Sequence, residues 1–189
     1  AEFENELLQG NGEGYGLEFL AKRDQGRWNG WIGYSLSWSQ RLFDELNNGL
    51  SYWAKYDRRH SFSIVQNFKI TNMWRFGSVW VFSNGSRFTP QIALYAMPSA
   101  SLTGIDWIPV YPQRNSISMS SSHRLDLNFI WQSKETNKFK GEWHFGAYNI
   151  YNRATPWRIE LEENDDGGYK YTQPGLLGFI PSVSYNFEF

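Results

Sequence analysis

The residues best suited to chemistry are three histidines and the polar residues beside them. His60 ends the run DRRH, His123 follows Ser121 and Ser122, and His144 lies within WHF. A metal site needs ligands at a spacing that brings them together, and no two of these histidines have such a spacing. A serine hydrolase also needs an orienting acid and an oxyanion hole, and no readable motif supplies them. The sequence therefore predicts neither enzyme activity nor a metal or cofactor site.

Two charged runs are further candidates for ligand contact. DRRH, residues 57–60, either grips a ligand at the outer rim or is a strand-entry cluster satisfied by partners in the barrel lumen, and we favour the second interpretation. ELEENDDGG, residues 160–168, has some likeness to a calcium loop. It lacks the regular alternation and the closing Glu of an EF-hand, so we expect a solvated loop.

The composition excludes several classes of protein. The net charge is −1 and no basic stripe is present, which argues against a nucleic-acid partner. The absence of cysteine excludes disulfides and thiolate metal sites. Aromatic residues make up 19% of the chain, although the mean hydropathy is −0.57. That content is high for a soluble core, and the chain is too polar for a helical membrane protein. AEFENELLQ at the start has no signal-peptide pattern, so we expect a mature chain or an internal piece.

Strict two-residue alternation recurs in seven segments, each with one apolar face. A period of two predicts β-strands, and a period of 3.6 fits none of the segments. The connections between them alternate between short and long. The strand segments are YGLEFLA, WNGWIGYSLSW, FSIVQNFKI, WRFGSVWVF, RLDLNFIWQ, FKGEWHFGA and FIPSVSYNFEF. The short connections are residues 23–26, 71–73 and 133–138, and the long ones are residues 40–59, 84–122 and 162–175, with residues 139–161 as a single interrupted strand.

Large aromatic residues lie towards the ends of these segments, as Trp28, Trp38, Trp74 and Phe82 do. Aromatic girdles at two membrane interfaces, with an aliphatic band between them, have this pattern. Strands in lipid must pair every backbone group, which requires a closed sheet. The sequence therefore predicts an all-β fold, a transmembrane antiparallel β-barrel.

Five segments, spread along nearly the whole chain, resemble the C-terminal part of the barrel of TonB-dependent outer-membrane receptors, particularly the Bacteroidetes type. They are GEGYGLEFLAKR, AKYDRRHSFSIV, HRLDL, AYNIYNRATPW and GLLGFIPSVSYNFEF. The resemblance implies that residues 1–189 are the last seven of roughly 22 strands in the bacterial outer membrane, without the plug domain. Short turns are then periplasmic and long loops extracellular.

The resemblance also implies partners and an assembly signal. The partners are outer-membrane lipid, the rest of the barrel and its plug, TonB acting through that plug, and the barrel-assembly machinery. A surface lipoprotein is a further candidate partner. The last strand corresponds to the family's assembly signal, although Ser184 stands where the family often has glycine. The residues that carry the signal are Ser182, Val183, Tyr185, Phe187 and Phe189.

By the same resemblance the protein is a non-enzymatic receptor that imports a nutrient: a siderophore, corrinoid, glycan or peptide. Long loops on rigid scaffolds carry binding, so we assign Trp107 and Tyr111 in the loop 84–122 as candidate substrate-binding residues. The alternative is a small self-contained outer-membrane barrel with a structural or adhesive role. It predicts an eighth strand, for which residues 1–9 and 91–97 are candidates. A soluble ligand-carrying barrel is a third hypothesis, against which the outward aromatics argue.

Overall fold

The computed structural model describes residues 8–99, 104–133, 140–166 and 168–188. This part of the chain is all-β, with one 3-10 turn at Asn47–Gly49. None of its residues belong to a helix of the length and apolarity that crossing a membrane requires. The strands are β1 (Asn11–Arg23), β2 (Trp28–Leu42), β3 (Tyr52–Trp53), β4 (His60–Lys69), β5 (Trp74–Ser83), β6 (Arg87–Phe88), β7 (Ala93–Pro98), β8 (Ile105–Val110), β9 (Ile117–Ser118), β10 (Ser122–Gln132), β11 (Lys140–Tyr148), β12 (Thr155–Pro156), β13 (Glu160–Glu163), β14 (Tyr169–Thr172), β15 (Gly175–Leu176) and β16 (Ile180–Glu188).

Seven of these strands form one large sheet in the order β1-β2-β4-β5-β10-β11-β16. Neighbours from β2 to β16 pair antiparallel. The order follows the chain, and the short strand β3 pairs with β2. The predicted succession of seven strands is confirmed for the described residues. Of the predicted short connection 133–138, all but Ser133 lies outside them, as do residues 1–7, Phe139 and Phe189.

The long connections contain small two-stranded sheets. Residues 84–121 hold the pairs β6–β9 and β7–β8, and residues 149–179 hold β12–β15 and β13–β14. Of residues 91–97, a candidate for an eighth strand of the main sheet, residues 93–97 lie in β7 and pair with β8 instead.

The expectation of one interrupted strand over residues 139–161 is wrong. Strand β11 ends at Tyr148, and the residues that follow pair within the third long connection. Asn149 and Asn152 have φ values of 52° and 53°, which turn the backbone out of the strand direction. The third long connection is therefore longer than residues 162–175.

The chain divides into two compact units. The sheet unit comprises residues 17–36, 59–84 and 120–189, with most of the main sheet and the third long connection. The loop unit comprises residues 1–16, 37–58 and 85–119, with the first two long connections and the strand ends beside them.

The pairing register places the predicted apolar residues on one face of the sheet unit. Phe76 of β5 lies between Phe68 of β4 and Phe129 of β10, and Phe129 is opposite Phe145 of β11. On β16, Val183 continues this row. Because side chains alternate strictly along a strand, every intervening residue lies on the other face. We call the two surfaces the apolar face and the polar face.

Very little of this chain is buried. Among the described residues, the apolar side chains that are buried are Tyr52, Ala54 and Pro90. The total accessible surface is 13993 Å². A compact monomer of 22.2 kDa exposes about 9,400 Å². The apolar face is thus a large exposed surface rather than the covered side of a soluble core.

Candidate lipid-facing surface and ligand-binding site

Aromatic rings form a row across the apolar face near the short connections. The centroids of Phe76 and Phe129 are 4.9 Å apart, and those of Trp143 and Tyr185 are 4.7 Å apart. Neighbouring strands contribute one ring of each pair, so the contacts follow directly from the register. Offset and tilted ring pairs of this kind stabilise adjacent strands.

A second group of rings lies towards the long connections. The centroids of Tyr34 and Phe62 are 6.2 Å apart, and those of Phe62 and Trp80 are 5.6 Å apart. Between the two groups the face carries mostly small and aliphatic residues, such as Leu127 opposite Ala147. From Trp74 to Phe82 the strand rises about 26 Å along its own axis. At the roughly 35–45° tilt of membrane barrels this is about 19–22 Å along the membrane normal, against an apolar band about 25 Å tall.

Large apolar side chains on the apolar face are exposed. Val183 is 63% exposed, and the rings of Phe129 and Phe145 are also exposed. Monomeric soluble proteins rarely expose contiguous apolar patches beyond a few hundred Å². The arrangement is suited to contact with hydrocarbon.

The polar face neutralises its own charges. Arg124 donates from Nε to Asp126 Oδ2 at 2.9 Å and from Nη1 to the Tyr148 hydroxyl at 2.8 Å. Its guanidinium carbon also lies 4.2 Å from the centroid of the Tyr148 ring. These contacts connect β10 to β11. The Asp126 carboxylate is paired with Arg124 and is therefore neutralised on the polar face.

The three histidines lie in three separate environments. His60 Nδ1 is 2.8 Å from the Tyr34 hydroxyl, His123 contacts the Arg153 guanidinium, and His144 Nε2 is 3.4 Å from Glu142 Oε2. Within the described ranges, no group of three His, Cys, Asp or Glu side chains is placed to hold a metal ion. Residues 160–163 of the acidic run form strand β13 of the β13–β14 hairpin, and Glu160 pairs with Arg158.

Asp57, the first residue of DRRH, is a structural residue of the loop unit. Its carboxylate is 3% exposed, accepts the Ser39 amide at 3.0 Å and lies 3.3 Å from Arg87 Nε. The Arg87 guanidinium carbon lies 5.1 Å from the centroid of the Trp53 ring. Asp57 is therefore paired with Arg87 of the second long connection.

The loop unit also contains an open cavity of about 640 Å³. Asn115 stabilises one wall of the cavity by donating two hydrogen bonds. Its backbone amide donates to Thr89 Oγ1 at 2.9 Å, and its Nδ2 donates to Trp53 O at 2.7 Å. The residues that line the cavity are Asn47, Asn48, Leu50, Thr89, Tyr111, Pro112, Gln113 and Arg114.

A left-handed turn forms one side of this cavity. Asn47, Asn48 and Gly49 have φ values of 56°, 58° and 69°. Consecutive left-handed residues are uncommon, because only glycine adopts this region without steric cost. The turn is held by the Leu50 amide, 3.1 Å from Asn47 O, and by the Arg114 amide, 2.9 Å from Asn47 Oδ1.

Of the two predicted substrate-binding residues, only Tyr111 lines the cavity. Trp107 lies on β8 opposite Ala96, is 62% exposed and is not among the lining residues. Sequence reasoning missed Asn48, Gln113 and Arg114 as cavity residues. The tripeptide NNG indicates a turn at residues 47–49, but it does not indicate that the turn is left-handed.

Four of the five predicted assembly residues lie on β16, the end strand of the main sheet in the described part of the chain. Val183, Tyr185 and Phe187 are opposite Phe145, Trp143 and Gly141, so all three lie on the apolar face. Ser182 is on the polar face opposite Gly146, and Phe189 is outside the described residues. In the described part of the chain, β16 has β11 as its neighbour in the sheet.

Neither a family model nor a curated protein matches this chain, and no solved structure matches it.

Proposed function

We propose that this chain is the C-terminal part of the barrel of a TonB-dependent receptor, which binds a nutrient and imports it across the bacterial outer membrane. The observation that carries the proposal is the apolar face, which continues in register across six strands from β2 to β16. The alternation of short and long connections supports it, because membrane barrels have short turns at one end and long loops at the other. Lipid, the rest of the barrel, the plug, TonB and the assembly machinery are the proposed partners.

The absence of cysteine permits a direct test of the lipid contact. Val183 and Ser182 are adjacent on β16 but lie on opposite faces. We expect a nitroxide at Val183→Cys to be accessible to oxygen, which concentrates in lipid. A nitroxide at Ser182→Cys should be accessible to a polar nickel complex instead. Equal accessibility of both positions to both reagents would contradict the proposal.

The orientation can be tested on whole cells with a membrane-impermeant maleimide. Trp107→Cys lies in a long connection and should be labelled, whereas Gln25→Cys lies in a short one and should react only after the cells are opened. The reverse result would overturn the assigned topology.

The transport step requires a comparison of two mutant strains. A strain without this protein and a strain without TonB should lose growth on the same nutrient, supplied alone as a siderophore–iron complex, corrinoid, glycan or peptide. Normal growth of the first strain on all of them would remove the receptor role. The alternative of a small structural or adhesive barrel would then apply.

A further inference from the structure

We infer that the cavity of the loop unit binds a saccharide that carries a carboxylate. The inference rests on the proposed function, because it names the class of cargo for that receptor. Its basis is the set of side chains at the cavity and the strained turn that presents one of them.

Three polar side chains at the cavity are available to a ligand. Asn48, Tyr111 and Gln113 make no side-chain hydrogen bond within the described part of the chain, and all three are exposed. Amide groups both donate and accept, as sugar hydroxyls do, so each can pair with adjacent hydroxyls. The Tyr111 ring offers an aromatic surface for the apolar side of a sugar ring. The volume, about 640 Å³, lies within the roughly 300–1,000 Å³ of small-ligand sites.

The charge of the cavity favours an anionic ligand. Arg114 is its single cation, and no Asp or Glu is among the described lining residues. The Arg114 guanidinium carbon lies 5.9 Å from the centroid of the Tyr52 ring, which leaves the guanidinium donors available. A planar guanidinium matches a carboxylate in geometry. One cation among neutral amides suits a single negative charge better than a phosphate monoester.

The apolar content of the cavity argues against a peptide cargo. Leu50 and Pro112 are the only aliphatic residues among its lining residues in the described part of the chain. A peptide with several apolar side chains would need more hydrophobic subsites than these two provide.

The left-handed turn is the second, independent observation. Asn47 and Asn48 each hold a left-handed conformation, which is unfavourable for a residue other than glycine. Strain of this kind concentrates at ligand clamps and persists because surrounding contacts enforce it. Here the Asn47 carboxamide supplies those contacts, to the Arg114 amide and to Leu50 O. The turn therefore places Asn48 and Arg114 at the cavity before a ligand arrives.

The first experiment is a glycan array probed with the intact protein in detergent, with neutral and uronate-containing oligosaccharides printed together. We expect binding to uronate-containing members, and at least tenfold weaker binding to the same oligosaccharides after methyl esterification of their carboxylates. Binding only to neutral members, equal binding to acids and esters, or no binding would overturn the inference.

Three variants then locate the site. Arg114→Gln should reduce affinity for the best acidic oligosaccharide to that of its methyl ester. Asn48→Gly should weaken binding severalfold while it keeps the turn, because glycine adopts positive φ readily. Arg41→Gln, in the same unit but not among the residues that line the cavity, should bind normally and serves as the matched control. If Arg114→Gln bound the acidic ligand as well as Arg41→Gln does, the assignment would be wrong.

Failure of this inference and failure of the proposed function give different results. An array that selects neutral glycans leaves the receptor proposal intact, since the cysteine labelling remains its own test. A chain whose apolar face is not accessible to oxygen fails as a membrane receptor whatever the array selects.

Discussion

Arg75 and Glu142 form an ion pair across an intervening strand. Arg75 Nη2 lies 2.8 Å from Glu142 Oε1, although Arg75 is on β5, Glu142 is on β11, and β10 lies between them. On the backbone Ile130 of β10 is opposite Arg75. The long arginine side chain passes this position on the polar face, and the pair links β5 to β11 across β10 near the short connections.

Charge reversal of this pair should be cooperative. Arg75→Glu places two carboxylates near each other and should reduce the free energy of unfolding by about 1 kcal/mol. The double variant Arg75→Glu with Glu142→Arg should recover most of this loss. Urea unfolding followed by tryptophan fluorescence measures both. Strictly additive losses would show that the two side chains do not interact.

Arginine substitutions on adjacent residues should separate the two faces. Leu127 is on the apolar face between the aromatic groups, and Asn128 is on the polar face, with similar partial exposure. Leu127→Arg should destabilise the protein in lipid vesicles by about 2–4 kcal/mol, the cost of a cation at the centre of a bilayer. Asn128→Arg should change the free energy by about 0.5 kcal/mol or less. Similar losses at both positions would contradict one-sided contact with lipid.

Gly30 should not tolerate a side chain. Its φ is 151°, and a Cβ there would overlap the carbonyl oxygen of Val65 on the neighbouring strand. Gly30→Ala should therefore destabilise the protein by more than about 1 kcal/mol. Gly12→Ala is the matched control, since its Cβ would meet nothing closer than Gln40 O at 3.9 Å. Thermal unfolding compares the two variants, and equal midpoints would disprove the close approach at Gly30.

Asn149 should anchor the third long connection. It is 0% exposed, has a φ of 52°, and donates from Nδ2 to Arg153 O and Leu177 O, both at 2.9 Å. Asn149→Ala should cost about 2–4 kcal/mol, from unsatisfied carbonyl groups and from a left-handed alanine.

Asn149→Gly also loses the side-chain hydrogen bonds, but it avoids the cost of a left-handed alanine. It should therefore be the milder change. Hydrogen exchange in residues 150–179 should accelerate in the order wild type, Gly, Ala. Asn186→Ala, at an exposed position of β16, is the control and should leave this segment unchanged. An unchanged exchange rate in Asn149→Ala would show that the side chain is not an anchor.

The strand pattern was accessible from sequence because its cause is local. Side chains at a period of two lie on one face whatever the partner strand is, so Phe76, Phe129 and Phe145 were assigned to that face before any pairing was known. The register then brought these residues into one row. The prediction of one strand over residues 139–161 was wrong because it rested on hydrophobicity alone. Two asparagines with positive φ end the strand after Tyr148.

The cavity depended on contacts that no local pattern contains. The Arg114 amide meets Asn47 Oδ1, and Asn115 reaches Trp53 O, between segments far apart in the chain. The prediction of Trp107 and Tyr111 rests on their aromatic character and on their position in a long loop. Neither property specifies the direction in which a side chain points. Only Tyr111 reached the cavity.

By itself, then, the sequence determined the seven strands, their apolar faces and the alternation of short and long connections, because alternation and turn residues act over a few positions. Only the tertiary structure decided the left-handed turn at 47–49, the cavity beside it and the ion pair between Arg75 and Glu142. Each of these needs groups from distant segments, and their hydrogen bonds and charges are satisfied only after the strands have paired.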